Sequence, residues 1–437
     1  MRSADSVCVI GAGRIGLPIS VSLAQKGMSV RVLDIDENRC SMINNAESPF
    51  FEEGMQKALE IAVKGGFLEA NSDPSFISEC DVVISAIGTG ISEDGEPDVK
   101  SVNNLAKMIC NHLQSEALFI LKTTLPIGST KKIANVLAER SGLVLEESLF
   151  VAFSPERIVE GKAMEELRSL PKIVGGVGSK STERASEFMS KFGGRVIKVA
   201  NSETAEMCKL IDNAYRMTRF GFSSDVALVA SQHGIDAYEA IRASNLDYKR
   251  NDVPLPSVGV SGYCLTKDPH YLEASGGGIW EKRGFGSTWI NARKAADYQL
   301  DHAIETLEEQ LNGLDGKVLV VAGLTYKEDV DDTRQSHGVY LSERLSELGA
   351  EVRAWEPNIA KGPIFGLENF HNESCLADSD GVIFTVPHSE FIVWSKEPAG
   401  IETMRNSVIF DGWGIFEHEK LPEGTTLMGT GRGFENT

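Results

Sequence analysis

The sequence lacks several features that define special classes of protein. None of its apolar runs approaches the roughly 18–20 residues of a membrane-spanning helix. Its seven cysteines are widely spaced and form no C-x-x-C pair, which argues against a disulfide framework or a structural zinc site. Positive charge is scarce, because 43 Lys and Arg face 63 Asp and Glu for a formal net charge of −20. A broad surface that binds nucleic acid would need a positive electrostatic potential.

The first residues also lack the apolar stretch and small-residue cleavage site of a signal peptide. We therefore expect a cytoplasmic protein that binds neither membrane nor nucleic acid. At 437 residues the chain is long enough for two or three domains. Its apolar content of 42% and charged content of 24% are typical of globular proteins.

Short apolar runs alternate with helical segments in the first part of the chain, which predicts a parallel, doubly wound sheet. Ligands of such sheets lie beyond the carboxyl ends of the strands. Thr89, Thr124 and Glu156 fall at these ends. The predicted strands after the first two span residues 80–89, 118–126 and 149–157.

The pattern becomes helical near residue 200 and alternates again from Gly316. A long helix is predicted to about Gly234, as a connector or dimer-forming element, and a second from about Ser287 to Leu311. The predicted fold class is α/β, with two Rossmann-like doubly wound domains joined by a central helical region. The predicted domain boundaries are 1–200, 201–312 and 313–437.

A G-x-G-x-x-G motif follows the first predicted strand, with glycines at 11, 13 and 16. Gly11 suits a tight turn, Gly13 a close approach of the backbone to a pyrophosphate, and Gly16 close packing of helix on strand. Asp34 ends the next strand, where a carboxylate accepts from both ribose hydroxyls and repels a 2′-phosphate. The sequence therefore favours NAD over NADP, although Arg39 lies close by.

The stretch SGYCLTKDPHY places Cys264 among glycines and charges. The preceding segment is too rich in Pro and Gly for a helix or regular strand, so a loop is expected. Lys267 there can lower the thiol pKa and Asp268 can take a proton from water. A metal site is disfavoured because His270 is the only nearby imidazole. The residues alone leave open a nucleophile, a redox thiol or an ordinary loop cysteine.

Seven stretches, in order and over nearly the whole chain, resemble the UDP-glucose/GDP-mannose dehydrogenase family of nucleotide-sugar 6-dehydrogenases. They are GAGRIGLP, TTLPIGST, SPERIVEG, EMCKLIDNAYR, GVSGYCLTKDP, GLTYKEDVDDTR and FDGW. The resemblance implies oxidation of a sugar C6 alcohol to a carboxylate with two NAD⁺ per turnover. It also implies that Cys264 adds to the aldehyde to give a thiohemiacetal, which becomes a thioester that water hydrolyses.

The resemblance also implies the roles of other residues. Lys209 and Asn213, one turn apart on the long helix, would stabilise oxyanion character at C6, with Asp268 as base or water orienter. Thr124 and Glu156 would hold and activate the hydrolytic water. The predicted cofactor contacts are Gly11, Gly13, Arg14, Ile15, Gly16, Asp34, Arg39, Thr89, Thr124, Glu160, Lys267 and Arg334. The predicted substrate contacts are Glu156, Arg157, Lys209, Asn213, Arg216, Arg250, Gly259, Tyr326 and Lys327.

The resemblance further implies a homodimer in which Arg250 is donated to the neighbouring active site. Within the family, the stretches PER and NAYR, which carry Arg157 and Arg216, resemble the branch that acts on UDP-N-acetylhexosamines. The expected substrate is therefore UDP-N-acetylmannosamine or UDP-N-acetylglucosamine. UDP-glucose is the alternative, since a lysine at the position of Lys267 resembles the UDP-glucose branch. Ser261 and Trp413 depart from the family pattern, which usually has glycine and, in the UDP-glucose branch, arginine there.

Two other classes of protein remain as alternatives at this stage. A single-step NAD dehydrogenase would share the N-terminal domain but would not need Cys264. A non-catalytic sensor of NAD or nucleotide sugars would bind these ligands without turnover. Cys264, Lys209, Asn213 and Asp268 together argue against the sensor, because a sensor needs no nucleophile.

Overall fold

The structure is a computed structural model that describes residues 6–92 and 94–436, except for the side chains at 418 and 433–436. The chain divides into two compact units. The first unit comprises the residues up to Asp212 together with His270–Gly277. The second unit comprises Asn213–Pro269 and the residues from Gly278 onward.

The first unit is built on an eight-stranded sheet. Its helices and strands are β1 (Ser6–Ile10), α1 (Gly16–Ala24), β2 (Ser29–Leu33), α2 (Glu37–Asn44), α3 (Met55–Lys64), β3 (Leu68–Asn71), β4 (Val82–Ser85), β5 (Gly90–Ile91), β6 (Pro97–Asp98), α4 (Lys100–Ile109), β7 (Ala117–Leu121), α5 (Ser129–Ser141), β8 (Leu149–Phe153), α6 (Ala163–Ser169), β9 (Lys172–Gly176), α7 (Ser179–Ser190) and β10 (Val196–Lys198).

The strand order of this sheet is β10-β9-β8-β7-β4-β1-β2-β3, and every neighbouring pair is parallel except β8 with β9. Strands β7 and β8 are buried along their whole length, as expected where helices cover both faces of a sheet. One apolar core lies on each face. The order reverses between β1 and β4, which is where such sheets bind ligands.

Helices precede a second sheet in the rest of the chain. These elements are α8 (Ser202–Gln232), α9 (Ala237–Asn245), α10 (Tyr263–Gly276), α11 (Ile279–Arg283), α12 (Thr288–Leu311), β11 (Val318–Ala322), α13 (His337–Glu347), β12 (Glu351–Trp355), β13 (Asn369–Phe370), β14 (Gly381–Phe384), α14 (Ser389–Trp394), β15 (Val408–Asp411), β16 (Thr426–Gly429) and β17 (Arg432–Asn436).

The second sheet has the order β13-β12-β11-β14-β15-β16-β17, and only β16 with β17 is antiparallel. Its order reverses between β11 and β14. Apolar clusters again lie on both faces. The boundary between the two units runs through α8 and α10, which each contribute residues to both.

The predicted fold class is confirmed, with two doubly wound sheets and a long central helix. The three predicted domain boundaries stay a prediction. The strands of the first unit end earlier than predicted, so residues such as Thr89 and Glu156 lie past the strand ends. None of the helices in the described part of the chain has the length and apolar content that a bilayer crossing requires.

The expectation of a loop around Cys264 is wrong, because this residue lies in the first turn of α10. Gly262, at a φ of +96°, ends the irregular segment just before the helix. Pro269 lies inside the helix, where it cannot donate a backbone hydrogen bond. Tertiary contacts such as the burial of Tyr271 stabilise the helix in spite of this local sequence.

Candidate active site

The glycine motif of the first unit has the geometry that each glycine was expected to provide. Gly11 has a φ of +98°, a conformation that residues with a Cβ rarely adopt. A Cβ on Gly16 would lie 1.7 Å from the Gly11 carbonyl oxygen, so α1 packs against the turn only with glycine here. A Cβ on Gly13 would have no atom within 4 Å. This open backbone at the start of α1 fits the pyrophosphate of a dinucleotide.

Asp34 lies directly after β2 and faces this loop. Its Oδ2 accepts the Ala12 backbone N–H at 2.6 Å, and its Oδ1 accepts the Asp36 backbone N–H at 2.9 Å. The Arg39 guanidinium lies 3.5 Å from Asp34 Oδ2 and 3.7 Å from an Asp36 carboxylate oxygen. Arg39 is therefore shared by two carboxylates, which weakens its ability to hold a 2′-phosphate and agrees with NAD.

Two carboxylates fix the segment after β8, one of them against the glycine loop. Arg14, within the glycine motif, forms an ion pair with Glu160. Glu52 is buried and accepts the backbone N–H groups of Gly161 and Ala163 at 2.8 Å each. Glu160 and Arg14, both predicted cofactor contacts, are thus brought together.

The segment after β7, which carries Thr124, is also anchored. The Thr89 hydroxyl donates to the Thr124 carbonyl at 3.0 Å. Glu206 of α8 accepts the backbone N–H groups of Gly128 and Thr130 at 2.6 and 2.7 Å. Burial raises the pKa of Glu206 above its usual range, although these hydrogen bonds oppose the shift.

Lys209 follows Glu206 by three residues on the same helix, and it is largely buried. Glu206 therefore links the segment that carries Thr124 to the turn of α8 that carries Lys209. Because the link consists of backbone N–H groups held by a buried carboxylate, it restricts the position of both.

Glu156 lies at the carboxyl end of the first sheet with a cation against it. Its Oε1 accepts the Arg157 backbone N–H at 2.9 Å, and its Oε2 lies 3.0 Å from the Lys122 ammonium nitrogen. Burial by itself disfavours the charged carboxylate, but Lys122 and the bond from Arg157 outweigh it, so the pKa of Glu156 is below its usual range. Glu156 is therefore a carboxylate that accepts hydrogen bonds at neutral pH.

The Arg157 side chain is engaged elsewhere in the same unit. Its Nη2 donates to the Pro171 carbonyl at 2.5 Å, and its Nη1 lies 3.9 Å from an Asp212 carboxylate oxygen. Its predicted contact to substrate stays a prediction.

In the second unit, residues of α8 and α10 meet. The Asn213 side-chain amide donates to Asp268 Oδ2 at 2.5 Å, and both residues are buried. The Lys267 ammonium lies 3.3 Å from Asp268 Oδ1. Cys264 lies one turn before Asp268 on α10. Of the seven cysteines, all of which lie in the described residues, Cys264 alone is exposed.

The segment before α10 packs against the N-terminus of α13. Gly259 has a φ of +143°, and a Cβ there would lie 2.4 Å from the His337 ring. A Cβ on Gly262 would lie 2.6 Å from the Tyr326 ring. The Ser261 hydroxyl accepts the His337 backbone N–H at 3.0 Å. The serine that departs from the family pattern thus caps a helix end that a glycine would leave to another acceptor.

Other predicted contacts of the second unit lie nearer the surface. Lys327 lies 3.8 Å from Glu328, and Arg334 forms a bidentate ion pair with Asp332. Arg216 is exposed, and Arg250 is exposed over the Tyr248 ring. The Trp413 indole N–H donates to the Thr385 carbonyl at 2.7 Å.

Comparison with known proteins agrees with this arrangement. The sequence matches the NAD binding domain of the UDP-glucose/GDP-mannose dehydrogenase family at residues 5–192, the central domain at 203–279 and the UDP binding domain at 320–418. The UDP-N-acetyl-D-mannosamine dehydrogenase of Pyrococcus horikoshii is 30% identical over 98% of this chain and 99% of its own. The chain belongs to the UDP-glucose/GDP-mannose dehydrogenase family.

Other relatives extend the likeness. The UDP-N-acetyl-D-mannosamine dehydrogenase of Escherichia coli K12 is 31% identical over 89% of this chain and 94% of its own. A solved structure of a UDP-D-ManNAc dehydrogenase from Pyrococcus horikoshii matches with a TM-score of 0.88 at 28% identity, covering 98% of this chain and 99% of that one. The chain is therefore an NAD-dependent oxidoreductase with a UDP-sugar substrate, and the prediction of NAD is confirmed.

Three residues that position this dehydrogenase's candidate site were missed by the sequence analysis, namely Lys122, Glu206 and Glu52. Lys122 could have been found, because a lysine directly after a buried strand of a parallel sheet must meet a partner at the ligand edge. Glu52 and Glu206 give no such signal, since their partners are backbone N–H groups distant in sequence. No group of three or more His, Cys, Asp or Glu side chains that could hold a metal ion occurs in residues 6–92 and 94–436.

Proposed function

We propose that this chain is a UDP-N-acetyl-D-mannosamine 6-dehydrogenase that oxidises the C6 alcohol to the carboxylate through a thioester on Cys264. The observation that carries the proposal is the buried hydrogen bond between Asn213 and Asp268, with the exposed Cys264 one turn away on α10. The relatives that carry this substrate in their names match almost the full chain, which supports the choice of sugar.

The chemistry requires a thiol that adds to the aldehyde after the first oxidation. In the thiohemiacetal the C6 carbon still carries a hydrogen, so a second oxidation to a thioester is possible. Residues such as Gly13 and Asp34 would hold NAD⁺, which would supply the hydride acceptor for each of the two oxidations. Lys209 and one N–H of the Asn213 amide would stabilise negative charge at the C6 oxygen. The other N–H of that amide donates to Asp268, which fixes the orientation of the side chain.

Hydrolysis of the thioester completes the reaction. Glu156 would accept a proton from a water held with Thr124, and the water oxygen would bond to the thioester carbon. The carbon–sulfur bond then breaks, Cys264 leaves as a thiolate, and the uronic acid product ionises. Because the pKa of Glu156 lies below its usual range, Glu156 is ionised at neutral pH, and only the carboxylate form can accept the proton.

We also propose a homodimer formed through α8, in which Arg250 reaches the partner's substrate site. Five apolar side chains lie on one face of this helix, within about 80° of its circumference, and each is about half exposed or more. They are Met207, Ile211, Tyr215, Phe222 and Val229. An exposed apolar stripe of this length is typical of a helix that packs against another chain. We also propose that the chain has three domains, which span residues 1–200, 201–312 and 313–437.

The test is kcat/KM with NAD⁺ and each of three sugar nucleotides, namely UDP-N-acetylmannosamine, UDP-N-acetylglucosamine and UDP-glucose. We expect UDP-N-acetylmannosamine to exceed the others by about tenfold or more, which corresponds to about 1.4 kcal/mol of transition-state binding. A preference for UDP-glucose would contradict the proposed substrate.

A further inference from the structure

A buried lysine lies against the carboxylate to which we assign the hydrolytic step. Lys122 directly follows β7, and Glu156 lies three residues past β8, its parallel neighbour. The Lys122 side chain has 0% exposure, and that of Glu156 has 7%. Burying two charges costs hydration that only close partners restore, so removing either one leaves the other strongly disfavoured.

Lys122 is the cation nearest to the Glu156 carboxylate among the groups packed around it. Its ammonium lies 3.0 Å from Oε2 and donates to the Ser154 carbonyl at 3.3 Å. The Arg157 guanidinium is bonded to the Pro171 carbonyl, so that residue contributes its backbone N–H instead.

Lys172, from β9, is the other cation that acts on Glu156, and it does so more weakly. Its ammonium donates to the Leu170 carbonyl at 2.8 Å, and burial lowers its pKa to about 8. Glu166 is the remaining carboxylate that acts on Lys172. The charge of Glu156 therefore depends chiefly on Lys122.

The two Glu156 oxygens are not equivalent. Oε1 accepts the backbone N–H groups of Arg157 and Ile158, at 2.9 and 3.3 Å. Oε2 is buried, and the Lys122 ammonium lies directly beside it. Oε1 thus fixes the orientation of the carboxylate, and Oε2 is the oxygen on which the Lys122 charge acts most directly.

We propose that Lys122 is a positioning residue that holds Glu156 ionised and oriented, so that Glu156 removes a proton from water during thioester hydrolysis. The inference rests on the proposed role of Glu156. In this step a water O–H bond breaks and its proton goes to Glu156, the water oxygen bonds to the thioester carbon, and the carbon–sulfur bond to Cys264 breaks. Glu156 then releases the proton to solvent.

The test is the pH dependence of hydrolysis in the full-length enzyme carrying Lys122→Met. Without the cation, burial dominates and raises the Glu156 pKa, so the carboxylate forms only at higher pH. The rate at which the Cys264 adduct disappears is measured by mass spectrometry in single turnovers with UDP-N-acetylmannosamine and NAD⁺. We expect the acid limb of its pH profile, where the rate falls as pH falls, to move up by about one pH unit or more. On the acid side hydrolysis would then slow about tenfold, while the pH dependence of NADH formation stays that of wild type.

Two variants serve as matched controls. Lys122→Arg keeps the positive charge, so its acid limb should return toward that of wild type. Lys172→Met removes the weaker cation and should shift the limb less than Lys122→Met. If Lys122→Met does not fold, judged by its thermal transition and NADH binding, Lys122→Gln supplies the same comparison with a neutral polar side chain.

The outcomes separate this inference from the proposed function. Glu156→Gln is expected to accumulate the adduct at all pH values. If it does, and the neutral Lys122 variant hydrolyses the adduct with the wild-type pH profile, the role of Lys122 is overturned and that of Glu156 stands. If Glu156→Gln hydrolyses the adduct at the wild-type rate, the assignment of Glu156 fails, and the inference fails with it.

Discussion

At the scale of single residues, accessibility distinguishes Cys264 from the other cysteines. Five of the other six are buried and Cys208 is half-buried, so Cys264 is the most accessible of the seven. The sequence indicated this residue through its glycine and charged neighbours. It did not indicate the helix, because Pro269 and the glycines before Cys264 oppose one locally and distant packing decides.

Replacing Cys264 by Ala is expected to abolish formation of the uronic acid, because no thioester can form. Cys208→Ala, which removes the next most accessible thiol, should keep near-wild-type turnover. The measurement is the carboxylate product by mass spectrometry after incubation with UDP-N-acetylmannosamine and NAD⁺. Uronic acid from the Cys264→Ala variant at a rate near that of wild type would exclude the covalent route.

At the scale of elements, the second sheet repeats the turn of the first without its sequence motif. Gly323 has a φ of +100°, and a Cβ on Gly338 would lie 2.0 Å from the Gly323 carbonyl oxygen. Glu356, after β12, accepts the Leu324 backbone N–H at 2.7 Å, as Asp34 accepts that of Ala12. The two glycines are fifteen residues apart instead of five, so a long insertion conceals the equivalence in the sequence.

Burial distinguishes the two turns. Glu356 is fully buried, and the His388 ring lies 3.2 Å from its carboxylate. A carboxylate held in this way cannot turn toward ribose hydroxyls without losing those partners. The second turn therefore has the backbone geometry of the first without a carboxylate that is available to a ribose.

The glycines of the first turn give a prediction about the element as a whole. Gly13→Ala should fold normally, since its Cβ meets no atom within 4 Å, but should weaken NAD⁺ binding by about tenfold or more, because the methyl group stands where the pyrophosphate approaches. Gly16→Ala should instead unfold at lower temperature, because its Cβ would overlap the Gly11 carbonyl. Thermal unfolding and NADH titration of both variants measure the two effects.

The opposite pattern would contradict this account of the turn. If Gly13→Ala bound NADH as wild type does, the open backbone would not be the pyrophosphate site. If Gly16→Ala were as stable as wild type, the close packing of α1 on the turn would not be required.

At the scale of the whole molecule, the alternation of strands and helices predicted both sheets, because buried parallel strands require continuous apolar runs. The central helix was predicted because its sequence keeps a helical apolar period and contains no proline and a single glycine, Gly221. Carboxylates such as Glu52 could not be predicted, since their partners are backbone groups brought near only by the fold.

The stripe on α8 predicts the state of association. Phe222→Glu places a charge at the centre of the proposed dimer contact and should give a monomer of reduced activity, as Arg250 would no longer reach a partner. Phe365→Glu is the matched control, because Phe365 is similarly exposed, at 60% against 56% for Phe222, but lies elsewhere in the chain. The measurement is molar mass by light scattering with size exclusion. A monomeric wild type, or a dimeric Phe222→Glu, would contradict the proposed interface.

The central claim is a four-electron oxidation, and it is tested most directly by the NADH formed per sugar nucleotide consumed. With limiting UDP-N-acetylmannosamine and excess NAD⁺, the account predicts two NADH per substrate, because the alcohol is oxidised first to the aldehyde and then, bound to Cys264, to the thioester. One NADH per substrate would mean that the reaction stops at the aldehyde. That result would contradict the role of Cys264 and leave this family member a single-step dehydrogenase.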